Sequence, residues 1–275
     1  GALNSSTKRI EFRGDSGLED GHFEDIQVDL TGGYYDSGNN IKFGFPTAYT
    51  ITLISWSVIE YSDKYEAVGE LDHVGSARND MRCWERPEDM DYDRPVSVCK
   101  AASASDLAAE MAAALAAASI VFNLPKSNMP DSYSAQLLLA AQKLFEFAAT
   151  GKGNGTYTAD TACGAGAVDF YNSSGYHDEL VWGGSWVFFA TGNWSYLQAV
   201  MEIYNNSVDS DIHGDDGVFN WNNKLLAAQL LLTRVRFLVD PGYPYEKMLQ
   251  SSTETIQMTM CSYLPDYASA FNRTP

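Results

Sequence analysis

At 275 residues, with 45% hydrophobic and 20% charged side chains, the chain has ample apolar material for a large core and none of the bias of disordered, collagenous or coiled-coil sequences. Thirty-six Asp and Glu against 18 Lys and Arg give a formal net charge of -18, a field that repels phosphate backbones and anionic lipid surfaces. Nucleic acid is therefore excluded as an expected partner, whereas a neutral ligand such as a sugar chain meets no such repulsion.

Along the chain the helical period dominates and the strand period is nearly absent. Pro46 opens a helix to about Tyr65, and Ser105 with Asp106 starts an Ala-rich helix through about Phe122. Asp131 or Ser132 caps a third, whose Leu137, Ala141, Leu144, Phe145 and Ala148 form one stripe before Gly151 ends it. Asp178 to Ala190 follows, ending near Gly192; then a short Trp194 to Ile203, Asn222 to Leu238, and a last helix from Pro244 to about Met260. No stretch reaches the roughly 20 apolar residues of a membrane span; the best, Met111 to Pro125, reads as a buried or half-buried helix. Long loops rich in Gly, Asn, Asp and Tyr between these segments suggest layered helical hairpins with functional loops on one face. Gly151 to Gly166 is too short for a linker, so a single domain over 1–275 is expected.

The compartment has to be inferred from marks other than a leader, since the sequence opens at Gly1 with no basic-plus-apolar stretch and any signal peptide or anchor is expected to have been removed. Six Asn-x-Ser/Thr sequons begin at Asn4, Asn154, Asn172, Asn193, Asn205 and Asn272, an excess that favours the secretory pathway and an extracellular or cell-surface destination. Cys83, Cys99, Cys163 and Cys261 are too sparse for a disulfide scaffold or a zinc site. Cys83 with Cys99 is the first pair to test, because a short Pro-rich loop between them would gain from a staple; buried free thiols are the alternative.

The densest polar loop runs Gly32-Gly33-Tyr34-Tyr35-Asp36-Ser37-Gly38-Asn39-Asn40-Ile41-Lys42-Phe43. It offers rings for sugar faces, carboxamides for hydroxyls and Asp36 to hold or activate a water; the competing reading is an ordinary Asx turn with solvated tips. Trp84 stands in Cys83-Trp84-Glu85-Arg86-Pro87-Glu88-Asp89, either a carbohydrate platform or a surface salt-bridge cluster. Trp182 and Trp186 share one helix face just after Tyr176, a pattern that is usually core, although Gly183 and Gly184 between them also allow a groove-lining edge. Asp209-x-Asp211-x-His213-Gly214 begins like a calcium loop but has His213 at the fifth position and Asn220 at the twelfth. The histidines show no ligand spacing, so no metal is expected.

Phe12 to Gly21, the Gly-Gly-Tyr-Tyr-Asp loop, Phe43-Gly44-Phe45-Pro46, Leu53 to Tyr61, Trp84 to Met90, Asp178 to Trp182 and Pro241 to Tyr245 come in an order that resembles glycoside hydrolase family 9, within it the plant endo-1,4-β-glucanases of the membrane-anchored KORRIGAN type. The resemblance implies an all-α fold, an (α/α)6 barrel of helical hairpins, incomplete in this chain. It also implies cofactor-free, inverting hydrolysis of internal β-1,4-glucosidic bonds in cellulose-like glucans. The implied partner is a β-1,4-glucan polysaccharide, bound by Tyr35, Trp84, Tyr176, Trp182, Trp186 and Trp221 as subsite aromatics. An anchor of the KORRIGAN kind would lie in an N-terminal segment absent from this sequence.

Inversion needs a carboxylate base to activate water and a carboxylic acid to protonate the departing oxygen. The family's Asp-Ala-Gly-Asp loop reads Asp36-Ser37-Gly38-Asn39, so Asp36 keeps the water-binding position while Asn39 stands where the base belongs. A carboxamide takes no proton near neutral pH. The resemblance puts the general acid in a segment beyond Pro275. Trp221-Asn222-Asn223-Lys224 replaces the family's Trp-Asp-x-Lys, Asp80-Met81-Arg82 replaces its Asp-His-x, and Val74 to Arg78 stands where a further helix and long loop belong. Two readings follow: an endoglucanase-family hydrolase impaired in this chain, or a non-catalytic glucan-binding or regulatory product.

Overall fold

The computed structural model describes residues 14–36, 38–61, 86–99, 104–124, 130–150, 155–164, 166–210 and 218–264. Among them the only sheet is a two-residue antiparallel ribbon, β1 (His22–Phe23) against β2 (Ile26–Gln27), with Glu24 turned into the left-handed region between them. The rest is helical: α1 (Gly44–Glu60), α2 (Ser105–Phe122), α3 (Asp131–Ala149), the single turn α4 (Thr161–Gly164), α5 (His177–Thr191), α6 (Trp194–Ser210), α7 (Leu225–Leu238) and α8 (Glu246–Ser262). This is the helical architecture the sequence predicts.

α2 and α5 are the centre. α2 packs on α1, α3 and α5, while α5 also meets α3, α6 and α7, and α8 packs on α7. Ala-rich α2 combines high helix propensity with minimal bulk, which lets a neighbour come close on nearly every side. Eight of its alanines are buried. On α5, a Cβ at Gly183 would stand 2.6 Å from the Ala109 carbonyl oxygen, and one at Gly184 would meet Val200 and Phe145. Gly183 is thus a crossing point of backbones, and Gly184 makes room for the side chains of α6 and α3. The outer helices are amphipathic: α3 buries Ala141, Phe145 and Ala148 and α6 buries Tyr196, Leu197, Val200 and Tyr204, at the spacing of one helical stripe.

Helix ends follow local chemistry. α5 stops at Gly192, whose φ of 65° provides the left-handed cap. α7 begins at Leu225 rather than Asn222 because Asn220 to Asn223 close a bridged turn on themselves. α8 begins at Glu246, after a turn over Tyr243 to Tyr245, and α6 runs on to Ser210, past its predicted end at Ile203. The sequence expectation that nothing qualifies as a span needs correction: Ser105–Phe122 is long and apolar enough to cross a bilayer. Its alanines, with Asp106 and Glu110 fully buried among them, are packed inside the protein instead.

A smaller second core of Ile41, Phe43, Phe45, Ala104, Tyr157, Cys163 and Ala167 lies under the loops, with Cys99, Leu107, Tyr171 and Trp221 packed around it. Here the cysteine expectation fails: Cys99 is bonded to Cys163, not to Cys83. The two Cα atoms come within 4.3 Å although 64 residues separate them in sequence, a juxtaposition that only the folded loops create. Cys83 lies outside the described residues, and Cys261 is an exposed free thiol rather than a buried one.

Gly183→Ala is expected to destabilise the fold by about 1–3 kcal/mol in chemical denaturation, because the new methyl meets backbone rather than a yielding side chain. Gly166→Ala, where the new methyl meets nothing within 4 Å, is the control and should stay within about 0.5 kcal/mol.

Candidate active site

The loop before α1 is shaped by glycines and pinned by its end. Gly32, Gly33 and Gly38 have φ of 89°, 86° and 80°, conformations that L side chains rarely adopt. Ile41, fully buried, and Phe43 sink the loop's exit into the second core. Within the loop the Asp36 amide donates to the Ile41 carbonyl at 2.8 Å and the Asn39 amide to the Asp36 carbonyl at 3.2 Å. The Ile41 amide donates to Asn39 Oδ1 at 2.8 Å, so the segment is the Asx turn its composition suggests.

The same turn is also where the candidate chemistry gathers. The Tyr171 hydroxyl donates to Asp36 Oδ1 at 2.9 Å, and Asn39 Nδ2 donates to Asp36 Oδ2 at 3.2 Å. Both ends of the Asn39 amide are therefore engaged inside the loop, and the residue is 9% exposed. Burial and the adjacent Asp36 carboxylate push the Tyr171 hydroxyl up to about 12, which keeps it a proton donor to Asp36 across the physiological range. The Tyr171 ring meets Phe43 edge-on at 4.8 Å and Trp221 at 5.2 Å, and Trp221 meets Phe45 at 6.2 Å. Nothing in the sequence singles out Tyr171, which is 135 residues from Asp36.

Of the sequence-predicted residues, the structure brings Tyr35, Asp36, Asn39 and Trp221 into this region. Tyr35 is half-buried, its hydroxyl donating to Ser16 Oγ at 2.9 Å; its neighbour Tyr34 is the more exposed ring of the pair. Tyr176 caps α5 and stacks on His177 at 4.2 Å, half-buried. Trp182 and Trp186 are corrected: they are 0% and 2% exposed, each 5.7 Å from Trp56 of α1, and so are core rings with no face for a sugar. Their four-residue spacing fixes a shared face, and that face is inward. Trp84, Asn4, Asn154 and Asn272 lie outside the described residues, as does most of the calcium-like stretch, while Asn172 and Asn193 are exposed. Asn205 sits on α6. Among the described residues no group of His, Cys, Asp and Glu could hold a metal.

Beneath Trp221 lies a buried ionic cluster that the sequence does not announce. Lys224 has no exposed surface; its Nζ is 2.9 Å from Glu179 Oε1 and 3.4 Å from Glu110 Oε2, sits 4.0 Å over the Phe45 ring and also donates to the Trp221 carbonyl. Its backbone amide donates to Asp178 Oδ2 at 2.6 Å. Burial alone would lower the lysine, but Glu179, Glu110 and Asp178 outweigh it and raise its affinity for the proton. Burial drives Glu110 up and Glu179 well above the ordinary range, the latter reinforced by Asp178. Asn222, where the resembled family has an acid, is tied to Ser174, accepting from its amide at 3.0 Å and donating to its hydroxyl at 2.8 Å.

Asp106, at the start of α2, accepts from the amides of Leu107 and Tyr157, yet burial pushes its carboxyl up to about 6. Between 3.8 and about 6 the folded chain thus holds a proton that the unfolded chain has lost, and stability falls as pH rises through that window. The advantage of the wild type over Asp106→Asn, read as a difference in melting temperature, should shrink as pH is raised across it. A difference that grew with pH would contradict the assignment.

Comparison with known proteins bears on this geometry. The family model Glycosyl hydrolase family 9 matches residues 1–77 and 72–275, its break falling where the sequence predicts a missing helix and loop. Endoglucanase 25 of Arabidopsis thaliana is 45% identical over 306 residues, covering 96% of this chain and 47% of its own length, and Endoglucanase 10 of Oryza sativa subsp. japonica is 42% identical, covering 96% and 47%. The chain spans about half the length of the curated relatives it matches. Among solved structures, the endoglucanase of the termite Nasutitermes takasagoensis superposes with a TM-score of 0.76 at 33% identity over 93% of this chain and 60% of that one. Endoglucanase CelQ of Clostridium thermocellum, complexed with cellobiose and cellotriose, superposes with a TM-score of 0.65 at 26% identity over 91% and 41%. The helical hairpins described above are part of an (α/α)6 barrel, and the chain belongs to glycosyl hydrolase family 9.

Proposed function

We propose that this chain is an endo-1,4-β-glucanase-type domain that takes an internal stretch of a cellulose-like β-1,4-glucan across the Asp36 loop, and that inverting hydrolysis is impaired in it. The observation that carries the reading is the state of Asn39. A base must take a proton from water as the water attacks the anomeric carbon, and an amide whose two ends already serve Asp36 and Ile41 has neither the basicity nor the free geometry for it. Asp36, held by Tyr171 and Asn39, retains the means to orient a hydroxyl or a water. Tyr34, exposed, and Tyr35 and Trp221, half-buried, are rings near it with surface to offer a sugar. A neutral glucan suits a chain of net charge -18, and the complexes of CelQ with cellobiose and cellotriose support a β-1,4-glucan as the substrate class. The closed Asn39 amide equally favours a second reading, a glucan-binding or regulatory protein without turnover.

The same reading places the chain in the secretory pathway, at the cell surface or outside the cell, with any membrane anchor N-terminal to this sequence. The exposed sequons at Asn172 and Asn193 and the Cys99–Cys163 bond, which persists in oxidising compartments, support it.

A dinitrophenyl β-cellobioside tests the base in isolation, since its leaving group departs without a general acid. Asn39→Asp is expected to release dinitrophenolate at least about 100-fold faster than the unmodified chain, the lower end of what a positioned base supplies. Equal rates would overturn the impaired reading. Cellotetraose binding with no release by the unmodified chain would support the second one.

A further inference from the structure

Behind the Asp36 loop, Asp20 receives two cations from two different segments. It is 4% exposed, and Arg94 grips it with both faces of the guanidinium fork, Nε to Oδ1 at 2.5 Å and Nη2 to Oδ2 at 3.1 Å. Lys42, on the exit of the Asp36 loop, reaches the same carboxylate at 2.5 Å. The remaining arm of Arg94, Nη1, donates to the Asn40 carbonyl at 3.3 Å, and the guanidinium lies 5.7 Å from the Tyr35 ring centroid. Burial alone would raise the Asp20 carboxyl, but the bonds from Arg94 and Lys42 outweigh it and hold it below the ordinary range.

What these bonds fix is the stem on which the candidate site hangs. Asn40 is followed by Ile41, whose amide holds Asn39 Oδ1 and whose carbonyl holds the Asp36 amide, and then by Lys42. Restraining Asn40 and Lys42 therefore restrains Ile41, which bonds both the Asp36 backbone amide and the Asn39 side chain. Arg94 can act this way because its own irregular segment is anchored elsewhere: Glu88 Oε1 accepts from the Gly14 amide at 3.0 Å, and Cys99 is bonded to Cys163.

We propose that Asp20 and Arg94 are positioning residues for the Asp36 loop, holding its Asn40 to Lys42 stem in place so that Asp36 faces the bound glucan. They touch no substrate and act through Ile41. A planar, bidentate fork with a third donor to spare is needed for this, so Lys at position 94 replaces the charge but not the geometry. The consequence for glucan rests on the reading of this loop as the glucan site; the mechanical role does not.

Hydrogen exchange followed by mass spectrometry on Arg94→Met, Arg94→Lys, Asp20→Asn and the Asp20→Asn/Arg94→Met pair separates the two. Exchange at the Asp36 and Asn39 amides should accelerate by about tenfold or more in every variant, while the amides of α5 keep their wild-type protection. The pair should be no worse than the worse single change, because the two residues form one unit. Loop exchange that is unchanged, or that rises only together with α5, overturns the proposal, and Arg94→Lys guards against a variant that simply unfolds. Cellotetraose affinity by calorimetry should fall about tenfold in Arg94→Met. A wild-type chain that does not bind cellotetraose sinks the glucan reading, and the exchange result alone then decides the positioning role.

Discussion

The ammonium of Lys224 lies wholly out of water between Glu179 on α5 and Glu110 on α2, and the packing of the two central helices is organised around that contact. Stripping ions of water costs several kcal/mol each, and only close geometry with further hydrogen bonds offsets it. Close geometry is what the surrounding sequence supplies. Ala109 and Gly183, beside Glu110 and one turn beyond Glu179, let the backbones of α2 and α5 approach until both carboxyls reach one nitrogen. Thr52 of α1 reaches Glu110 at 3.4 Å, and Phe45 of the same helix lies under the ammonium, so α1 joins the cluster as well.

The functional region rests on this cluster from above. Lys224 holds the Trp221 carbonyl; Trp221 packs against Tyr171; Tyr171 donates to Asp36. On the other side Asp20 and Arg94 hold the stem of the same loop. Asp36 is thus fixed by two independent supports, the mark of a carboxylate whose orientation matters, while the position beside it is an amide closed on its own turn. On the proposed reading, such a site can orient a sugar hydroxyl or a water but carries an amide where a base would be needed.

Much of this was legible in the residues. The Ala-rich run of α2, the apolar stripe of α3 and the Gly192 stop of α5 carry strong local signals, and the Gly-rich polar loop around Asp36 stood out by composition, whereas the cap expected at Asp131 or Ser132 is not formed: Pro130 takes the N-cap position of α3 with no side-chain hydrogen bond. What local pattern cannot give is which distant groups meet. Asp106 and Glu110 on α2, Asp178 and Glu179 on α5, and Lys224 just before α7 look like the polar positions of three ordinary segments, and only the packing of these segments turns them inward. Cys99 reaches Cys163 because two loops fold over one small core, whereas the nearer Cys83 was favoured by the short Pro-rich loop between it and Cys99. For Trp182 and Trp186 the period established a common face but not its direction, and Tyr171 carried no signal because its significance comes entirely from Asp36.

The electrostatics of the Lys224 cluster are directly measurable. Burial raises both glutamates that face the one buried lysine, Glu179 well above its ordinary range with Asp178 reinforcing the effect, and so favours their neutral form. Infrared difference spectroscopy on chain carrying carboxyl-labelled glutamate should show, near neutral pH, the carbonyl stretch of a protonated buried acid, and that band should vanish in Glu179→Gln. A spectrum in which every glutamate is ionised at neutral pH would contradict the account of how this half of the barrel is held together.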